Sequence, residues 1–147
     1  MKLRSICAMA LTLFAVNAWS ADHTVQMKNA GTDGTMVFEP GFLKVAVGDT
    51  VTFEPTDPGH NSESIPGLVP EGAAGWKGAF SQKTTVTIDK EGVYVYKCTP
   101  HAMMAMIGVI QAGNAKNMDA VKNASKSLSS TFIMNKDRLD NYLAQAK

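Results

Sequence analysis

Residues 93–111 read VYVYKCTPHAMMAMIGVIQ, which is two β-branched and aromatic segments on either side of a sulfur-rich loop. The flanking segments, 93–98 and 107–111, have the length and composition of β-strands. The loop that joins them places a thiol, an imidazole and three thioethers within nine residues. This stretch therefore predicts two neighbouring strands whose connection carries metal-binding side chains.

The chain before this stretch repeats the pattern of short strands separated by turns. The candidate strands are residues 25–28, 36–38, 42–47, 50–53 and 84–88. Gly48-Asp49 and Lys90-Glu91-Gly92 supply turn signals, whereas residues 55–80, with four of the six prolines, predict a long loop. Short strands at this spacing predict a mainly β fold, either a sandwich or a barrel.

The last part of the chain, residues 114–147, changes to a helical period. Apolar side chains recur on one helical face at Leu139, Tyr142, Leu143 and Ala146. A shorter helix is predicted before it from Met118, Val121 and Ala124. Asn135 is the expected cap of the last helix, and either Asn114 or Asn117 that of the first. We expect both helices to pack an apolar face on the β core.

The first twenty residues have the layout of a secretory signal peptide. Lys2 and Arg4 precede an apolar run at 6–16, and Ala18-Trp19-Ser20 places small residues where a signal peptidase reads them. Cleavage is predicted after Ser20. The alternative interpretation is an uncleaved membrane anchor, but the apolar run is too short to span a bilayer stably. Residues 21–147 are then one exported domain, with 114–147 as its helical extension.

Composition excludes several classes of protein. Lys plus Arg number 14 and Asp plus Glu 13, a balance that argues against nucleic-acid binding through bulk charge. A hydrophobic content of 45% is enough for a core and excludes a disordered charged tail. Removing the signal peptide removes Cys7, so Cys98 has no partner for an internal disulfide. An unpaired thiol in an oxidising compartment needs protection, which a bound metal would provide.

The candidate ligands of such a metal are soft donors. The loop supplies Cys98 and His101, and His60 comes from an upstream loop. The candidate thioethers are Met103, Met104 and Met106. A thiolate and a thioether with two imidazoles suit copper, in the arrangement of a blue-copper site. Zinc suits a thioether less well, and a Cys–His protease needs its base from elsewhere in the fold. Each of these residues alone is more simply explained by a structural role, but their combination favours a metal site.

Four motifs carry a family resemblance that extends over the whole chain after the signal peptide. They are Cys98-Thr99-Pro100-His101 followed by Met106, Gly59-His60-Asn61, Met36-Val37-Phe38-Glu39-Pro40 and Gly48-Asp49-Thr50-Val51-Thr52-Phe53. The chain resembles the pseudoazurins, periplasmic type 1 copper proteins of the cupredoxin family from denitrifying and methylotrophic bacteria. The resemblance implies a cupredoxin-like Greek-key β-sandwich of about eight strands, with two C-terminal α-helices and the copper at one end.

The resemblance also assigns roles to individual residues. The implied ligands of one copper ion per chain are His60, Cys98, His101 and Met106. Met106 is the implied axial ligand because the family motif places that methionine eight residues after the cysteine. Asn61 is expected to tie the ligand loops together and to donate to the thiolate, and Met36 to pack beside the exposed histidine. Pro100 has no N–H group and adds no second donor to the thiolate.

The implied function is one-electron transport between Cu(II) and Cu(I) without enzymatic activity, with the electron leaving through the exposed edge of His101. Redox enzymes are the expected partners, notably dissimilatory nitrite reductases, with cytochromes as an alternative. Lys77 and Lys97 match docking lysines of the family, whereas two further lysine positions are here Ala30 and Pro58. We expect a monomer that binds no nucleic acid and, after cleavage, does not insert into membranes. Copper delivery or storage, suggested by the neighbouring methionines, is the alternative function.

Overall fold

The computed structural model describes residues 20–147, so the predicted signal peptide lies outside the described residues except for Ser20. Eight strands form two sheets, and two helices follow them. The strands are β1 (Asp22–Gly31), β2 (Gly34–Glu39), β3 (Phe42–Val45), β4 (Thr50–Pro55), β5 (Glu63–Ser64), β6 (Thr84–Thr87), β7 (Gly92–Lys97) and β8 (Ile107–Ala112). The helices are α1 (Met118–Ser129) and α2 (Arg138–Leu143), and Ala102–Met104 form one 3-10 turn.

The two four-stranded sheets have the strand orders β2-β1-β4-β6 and β3-β8-β7-β5. Strand β1 pairs with β4, and β3 with β8, in parallel, while the other pairs are antiparallel. Several neighbours in the sheets are therefore distant in the chain, as Greek-key connections require. The predicted mainly β fold with two C-terminal helices is confirmed, and its two sheets form a sandwich.

Strand β7 shows how a period of two residues builds two layers of core at once. The tyrosines of its VYVY sequence point between the sheets, where the Tyr96 ring lies 4.7 Å from that of Phe38 and 4.9 Å from that of Phe53. The valines point the other way and join an apolar cluster with the helices. The strand is thus buried on both faces, which explains why polar residues are absent from its centre.

The helical extension packs on the β core, as predicted. It contributes Val121, Phe132, Leu139, Tyr142 and Leu143 to an apolar cluster with side chains of β7 and β8. Asn117 occupies the cap position of α1, but its side chain bonds Val93 instead. The expected cap at Asn135 is wrong: Asp137 precedes α2, and Asn135 donates its side chain to the Met104 carbonyl at 3.2 Å. Both asparagine side chains bond residues that are distant in the chain, and a local capping pattern cannot predict such bonds.

Two further features differ from the expectations. The loop at 55–80 contains β5, whose two residues pair with Lys97 and Tyr96 and are too few to form a recognisable pattern. His23, expected to be an ordinary surface residue, has a half-buried ring 2.8 Å from the Asp49 carboxylate. Among the described residues, no helix combines the length and the apolar character needed to cross a membrane.

Candidate metal centre

Two loops at one end of the sandwich carry the residues expected to bind a metal. Cys98 directly follows β7 and Met106 directly precedes β8, so this antiparallel pair holds the two residues side by side. A hydrogen bond of 3.0 Å from the Cys98 N–H to the Met106 carbonyl continues the ladder beyond the strand ends. His101 precedes the 3-10 turn. His60 lies in the connection from β4 to β5, which passes from one sheet to the other.

The thiol and both imidazoles converge. One ligand atom from each of His60, Cys98 and His101 lies within 4.8 Å of the others. The two Nδ1 atoms are 3.1 Å apart, and Cys98 Sγ is 3.7 Å from His60 Nδ1 and 3.4 Å from His101 Nδ1. Bonds of about 2.0–2.3 Å from nitrogen and sulfur to one first-row metal ion produce separations of this size. The three side chains therefore fit a single ion held by two nitrogens and one sulfur.

Burial separates the three methionines of the ligand loop. Met106 is fully buried in the same cluster as Cys98. Met103 is 57% exposed, and Met104 is half-buried. The Met106 N–H donates to the His101 carbonyl at 3.2 Å, which fixes its backbone beside the imidazole. Of the three thioethers, only that of Met106 is enclosed in the core with the thiol.

His60 is held in one tautomer by Asn29, a residue that sequence analysis missed. Nε2 of His60 lies 3.0 Å from Oδ1 of Asn29, so Nε2 carries the proton and donates. Nδ1 keeps its lone pair and faces the cluster, as metal binding requires. Burial, followed by the charge of His101, lowers the pKa of His60 and keeps the ring neutral to lower pH. No local pattern marks Asn29, because its partner lies 31 residues away in the chain.

Cys98 is fully buried, and burial raises the pKa of its thiol. The backbone N–H groups of Asn61 and His101 act in the opposite direction and favour the thiolate. A metal that binds this sulfur must displace its proton. Both amide groups are part of the folded ligand loops, so their effect on the thiolate needs no further rearrangement.

Asn61 connects the two ligand loops. Its Oδ1 accepts the Thr99 N–H at 2.8 Å, and its Nδ2 donates to Thr99 Oγ1 and to the Gly78 carbonyl, both at 3.2 Å. Thr99 in turn donates to Glu63 Oε2 at 2.8 Å. Asn61 and Thr99 each directly follow one of the converging residues in the chain, so this network fixes the separation of the two loops.

The surface around His101 is partly open to solvent. His101 and Ala102 are half-buried, and Pro100 is exposed. Met36 is half-buried and packs against the core cluster that contains Cys98. An imidazole edge is thus accessible within a mainly apolar surround, whereas the thiol behind it is closed off.

The two lysines expected to serve in docking lie on either side of Glu63. Lys97 pairs with Glu63 across the β5–β7 ladder, and Lys77 forms an isolated bridge with it, its Nζ 3.7 Å from Oε1. The Lys77 side chain is 75% exposed, and Lys97 is half-buried. Ala30 and Pro58 are both exposed. The Glu63 carboxylate therefore offsets part of the positive charge of this lysine pair.

Two four-stranded sheets with a Cys–His₂ cluster and a buried methionine at one end define a cupredoxin with the pattern of a type 1 copper site. Comparison with known proteins supports this class. A model of the family described as copper binding proteins, plastocyanin/azurin family, matches residues 25–113.

Three relatives match nearly the whole chain. A protein from Rhizobium leguminosarum bv. viciae, itself assigned to the pseudoazurins, is 48% identical over 141 residues, which cover 95% of this chain and 90% of its own. Pseudoazurin from Paracoccus pantotrophus is 40% identical over 139 residues, covering 94% of this chain and 92% of its own. The crystal structure of native pseudoazurin from Hyphomicrobium denitrificans has a TM-score of 0.77 and 43% identity, covering 86% of this chain and 99% of that one.

The chain therefore belongs to the plastocyanin/azurin family of copper-binding proteins and, within it, to the pseudoazurins. Copper is its cofactor, and it is an electron-transport cupredoxin. The family match ends at residue 113, whereas the match to the relatives includes most of the helical extension.

Proposed function

We propose that the protein is a periplasmic one-electron carrier whose copper ion is bound by His60, Cys98, His101 and Met106. The single observation that carries the proposal is the convergence of two imidazole nitrogens and one sulfur at 3.1–3.7 Å beside a buried thioether. Copper bound there supplies a centre that alternates between Cu(II) and Cu(I).

The protein's own residues act by resisting rearrangement when the electron moves. Asn29 holds the His60 ring, and Asn61 holds the two loops together. His60, Cys98 and Met106 are fully buried, so water does not compete for the metal. Among the four proposed ligands, only His101 reaches the surface, and its edge is the proposed exit for the electron.

Absorption and electron spin resonance spectra after addition of Cu(II) test this function. We expect an intense blue thiolate-to-copper band that ascorbate bleaches and oxidation restores, and that Cys98→Ser abolishes. Met106→Leu should shift the spectrum and the reduction potential because it removes the axial thioether. Met103→Leu, at the exposed methionine of the same loop, is the matched control and should change neither.

A colourless protein that binds copper weakly would overturn the carrier assignment and favour copper delivery or storage. A green protein would leave the carrier function intact and indicate a stronger axial Met106 bond. Equal shifts in Met106→Leu and Met103→Leu would contradict the assignment of the axial ligand.

The proposed electron acceptor is a redox enzyme of the dissimilatory nitrite reductase class, docked over the edge of His101. Pro100, Ala102 and Met104 supply a small apolar surround there. Lys77 and Lys97 supply positive charge beside it, reduced by Glu63. Charge of this kind mainly raises the rate of encounter and makes that rate depend on salt.

Stopped-flow reduction of a copper nitrite reductase at several ionic strengths tests the docking proposal. The double variant Lys77→Ala/Lys97→Ala should react more slowly at low salt and show a weaker salt dependence. Lys90→Ala, at the turn that precedes β7 and so at the opposite end from Cys98, is the control. A double variant with unchanged salt dependence would remove these lysines from the docking surface.

Export is tested by mass spectrometry of the protein from the periplasmic fraction. A chain that begins at Ala21 and elutes as a monomer in gel filtration is expected. A chain that retains residues 1–20 in the membrane fraction would instead favour the uncleaved anchor.

A further inference from the structure

The helical extension contacts the ligand loop through three successive carbonyl groups of that loop. The donors are the Ile133 N–H to the Met103 carbonyl at 2.9 Å, Asn135 Nδ2 to the Met104 carbonyl at 3.2 Å and Arg138 Nη1 to the Ala105 carbonyl at 2.8 Å. The last of these carbonyls belongs to the residue directly before Met106. The helical extension therefore contacts the ligand loop at the residue directly before Met106, the proposed axial ligand.

Arg138 is the buried member of this set, with 5% of its surface exposed. Nη1 donates to the carbonyls of Met36 and Ala105, both at 2.8 Å. Nη2 donates to the carbonyls of Asp33 and Thr35 at 2.9 and 3.1 Å. No described carboxylate forms an ion pair with the guanidinium. All four hydrogen bonds of the guanidinium therefore go to backbone carbonyls. A lysine cannot reproduce this planar arrangement of donors.

Two of the four carbonyls that the Arg138 guanidinium binds, those of Met36 and Ala105, belong to residues with strained backbone. Four described residues other than glycine have a left-handed conformation: Met36, Ser81, Ala105 and Asn135. Three of the four give their carbonyl to Arg138, since its own N–H also donates to the Asn135 carbonyl at 3.0 Å. Left-handed backbone is unfavourable for residues with a Cβ and persists only where surrounding contacts determine it. The Arg138 side chain therefore binds two of these four strained residues, and its backbone N–H binds a third.

We propose that Arg138 is a positioning residue for the copper site, which it serves by holding the backbone before Met106 and at Met36. The Ala105 carbonyl accepts both Arg138 Nη1 and the Ile107 N–H, the latter at 2.9 Å, so the peptide groups on both sides of Met106 are fixed. Through that backbone the guanidinium sets where the Met106 thioether sits relative to Cys98. The proposal rests on the copper-carrier function proposed above.

Arg138→Lys in the full copper-loaded protein is the test, because it keeps the charge and removes most of the hydrogen bonds. We expect a changed ratio between the two thiolate-to-copper absorption bands, a shifted reduction potential and a copper affinity about tenfold weaker. Lys136→Gln removes an exposed charge two residues away and should leave all three unchanged. Arg138→Lys with wild-type bands and potential, and only a lower melting temperature, would overturn the proposal.

Ala105→Gly supplies a rescue that depends on the proposed mechanism. Glycine adopts the left-handed conformation without a Cβ penalty, so Arg138→Lys/Ala105→Gly should recover most of the wild-type band ratio. If Arg138→Lys alone does not fold, this double variant is compared with Ala105→Gly alone. A double variant whose band ratio is no closer to the wild type than that of Arg138→Lys counts against the proposal. Where Arg138→Lys has not folded, a double variant whose band ratio stays far from that of Ala105→Gly counts against it as well.

Hydrogen exchange of the copper-free proteins separates this proposal from the copper function. The amides of Met106 and Ile107 should exchange faster in Arg138→Lys than in the wild type and in Lys136→Gln. A wild-type protein without a blue band removes the proposed function, whereas equal exchange in all three proteins removes the role of Arg138.

Discussion

Pro100 is the second residue after Cys98 and brings no N–H group near the sulfur. The amides of Asn61 and His101 already favour the Cys98 thiolate. Each hydrogen bond to such a sulfur withdraws electron density from it and so favours Cu(I) over Cu(II). The number of hydrogen-bond donors around Cys98 therefore affects the reduction potential of the copper site.

We expect Pro100→Ala to raise the reduction potential, because alanine introduces a further N–H donor beside Cys98. Voltammetry of the copper protein measures the change. Pro66→Ala, at an exposed proline of the long loop, is the matched control for loss of backbone rigidity and should leave the potential unchanged. An unchanged or lowered potential in Pro100→Ala would contradict the prediction.

At the scale of elements, β7 depends on the start of α1 for part of its hydrogen bonding. Strand β5 is only two residues long and does not reach Val93. Oδ1 of Asn117 accepts the Val93 N–H at 2.7 Å, and its Nδ2 donates to the Val93 carbonyl at 2.9 Å. A Cβ on Gly92 would lie 2.6 Å from the same Oδ1, so this close approach requires glycine. The Asn117 side chain thus takes the place of a neighbouring strand.

Asn117→Ala should lower the free energy of unfolding by about 2 kcal/mol, because buried backbone groups of Val93 lose both partners. Urea denaturation of the copper protein, followed by circular dichroism, measures the loss. Asn123→Ala, on an exposed position of α1, is the matched control and should change stability by less than about 0.5 kcal/mol. Equal stabilities of the two variants would show that Asn117 is not a strand substitute.

At the scale of the whole molecule, Asp49 joins the first strand to the turn between the two sheets. Its carboxylate accepts the Ala21 N–H at 2.9 Å, the Ala46 N–H at 2.9 Å and the His23 ring at 2.8 Å. These contacts, led by the Ala21 amide, lower the pKa of Asp49 to about 2. One buried carboxylate therefore holds the N-terminal end of β1 to the edge of the sandwich.

The lowered pKa of Asp49 gives the stability of the protein a defined dependence on pH. The folded state binds this proton less readily than the unfolded state, so the contribution is complete above about pH 4 and is lost towards pH 2. We expect Asp49→Asn to lose less stability than the wild type as the pH falls. Some acid dependence should remain, because Glu39 and Glu91 also have pKa values of about 2.

Thermal unfolding of the copper-free protein from neutral to acid pH measures this dependence without the added effect of metal loss. In Glu71→Gln, at an exposed glutamate, the melting temperature should fall with acid as it does in the wild type. An Asp49→Asn variant whose melting temperature falls with acid as steeply as that of the wild type would refute the role of Asp49.

The strands and the ligand loop were largely readable from local sequence. The strands predicted at 93–98 and 107–111 lie within one residue of β7 and β8, because a two-residue period and flanking turn residues act over short distances. Cys98, His101 and Met106 were recognisable together because one hairpin connection carries all three. Local patterns were weaker where a strand has few buried residues: β1 extends three residues beyond its prediction at each end.

Which distant groups meet depends on the packing of the folded chain. The contacts that no local pattern contains are Asn29 with His60, Asn117 with Val93, and Arg138 with Ala105. Each pair is between 24 and 33 residues apart in the chain. The period of the strands and the chemistry of the loop can be predicted from the local sequence, since both depend on neighbouring residues. The partners of buried polar groups depend on how the sheets and helices pack, because only packing brings such groups within hydrogen-bond distance.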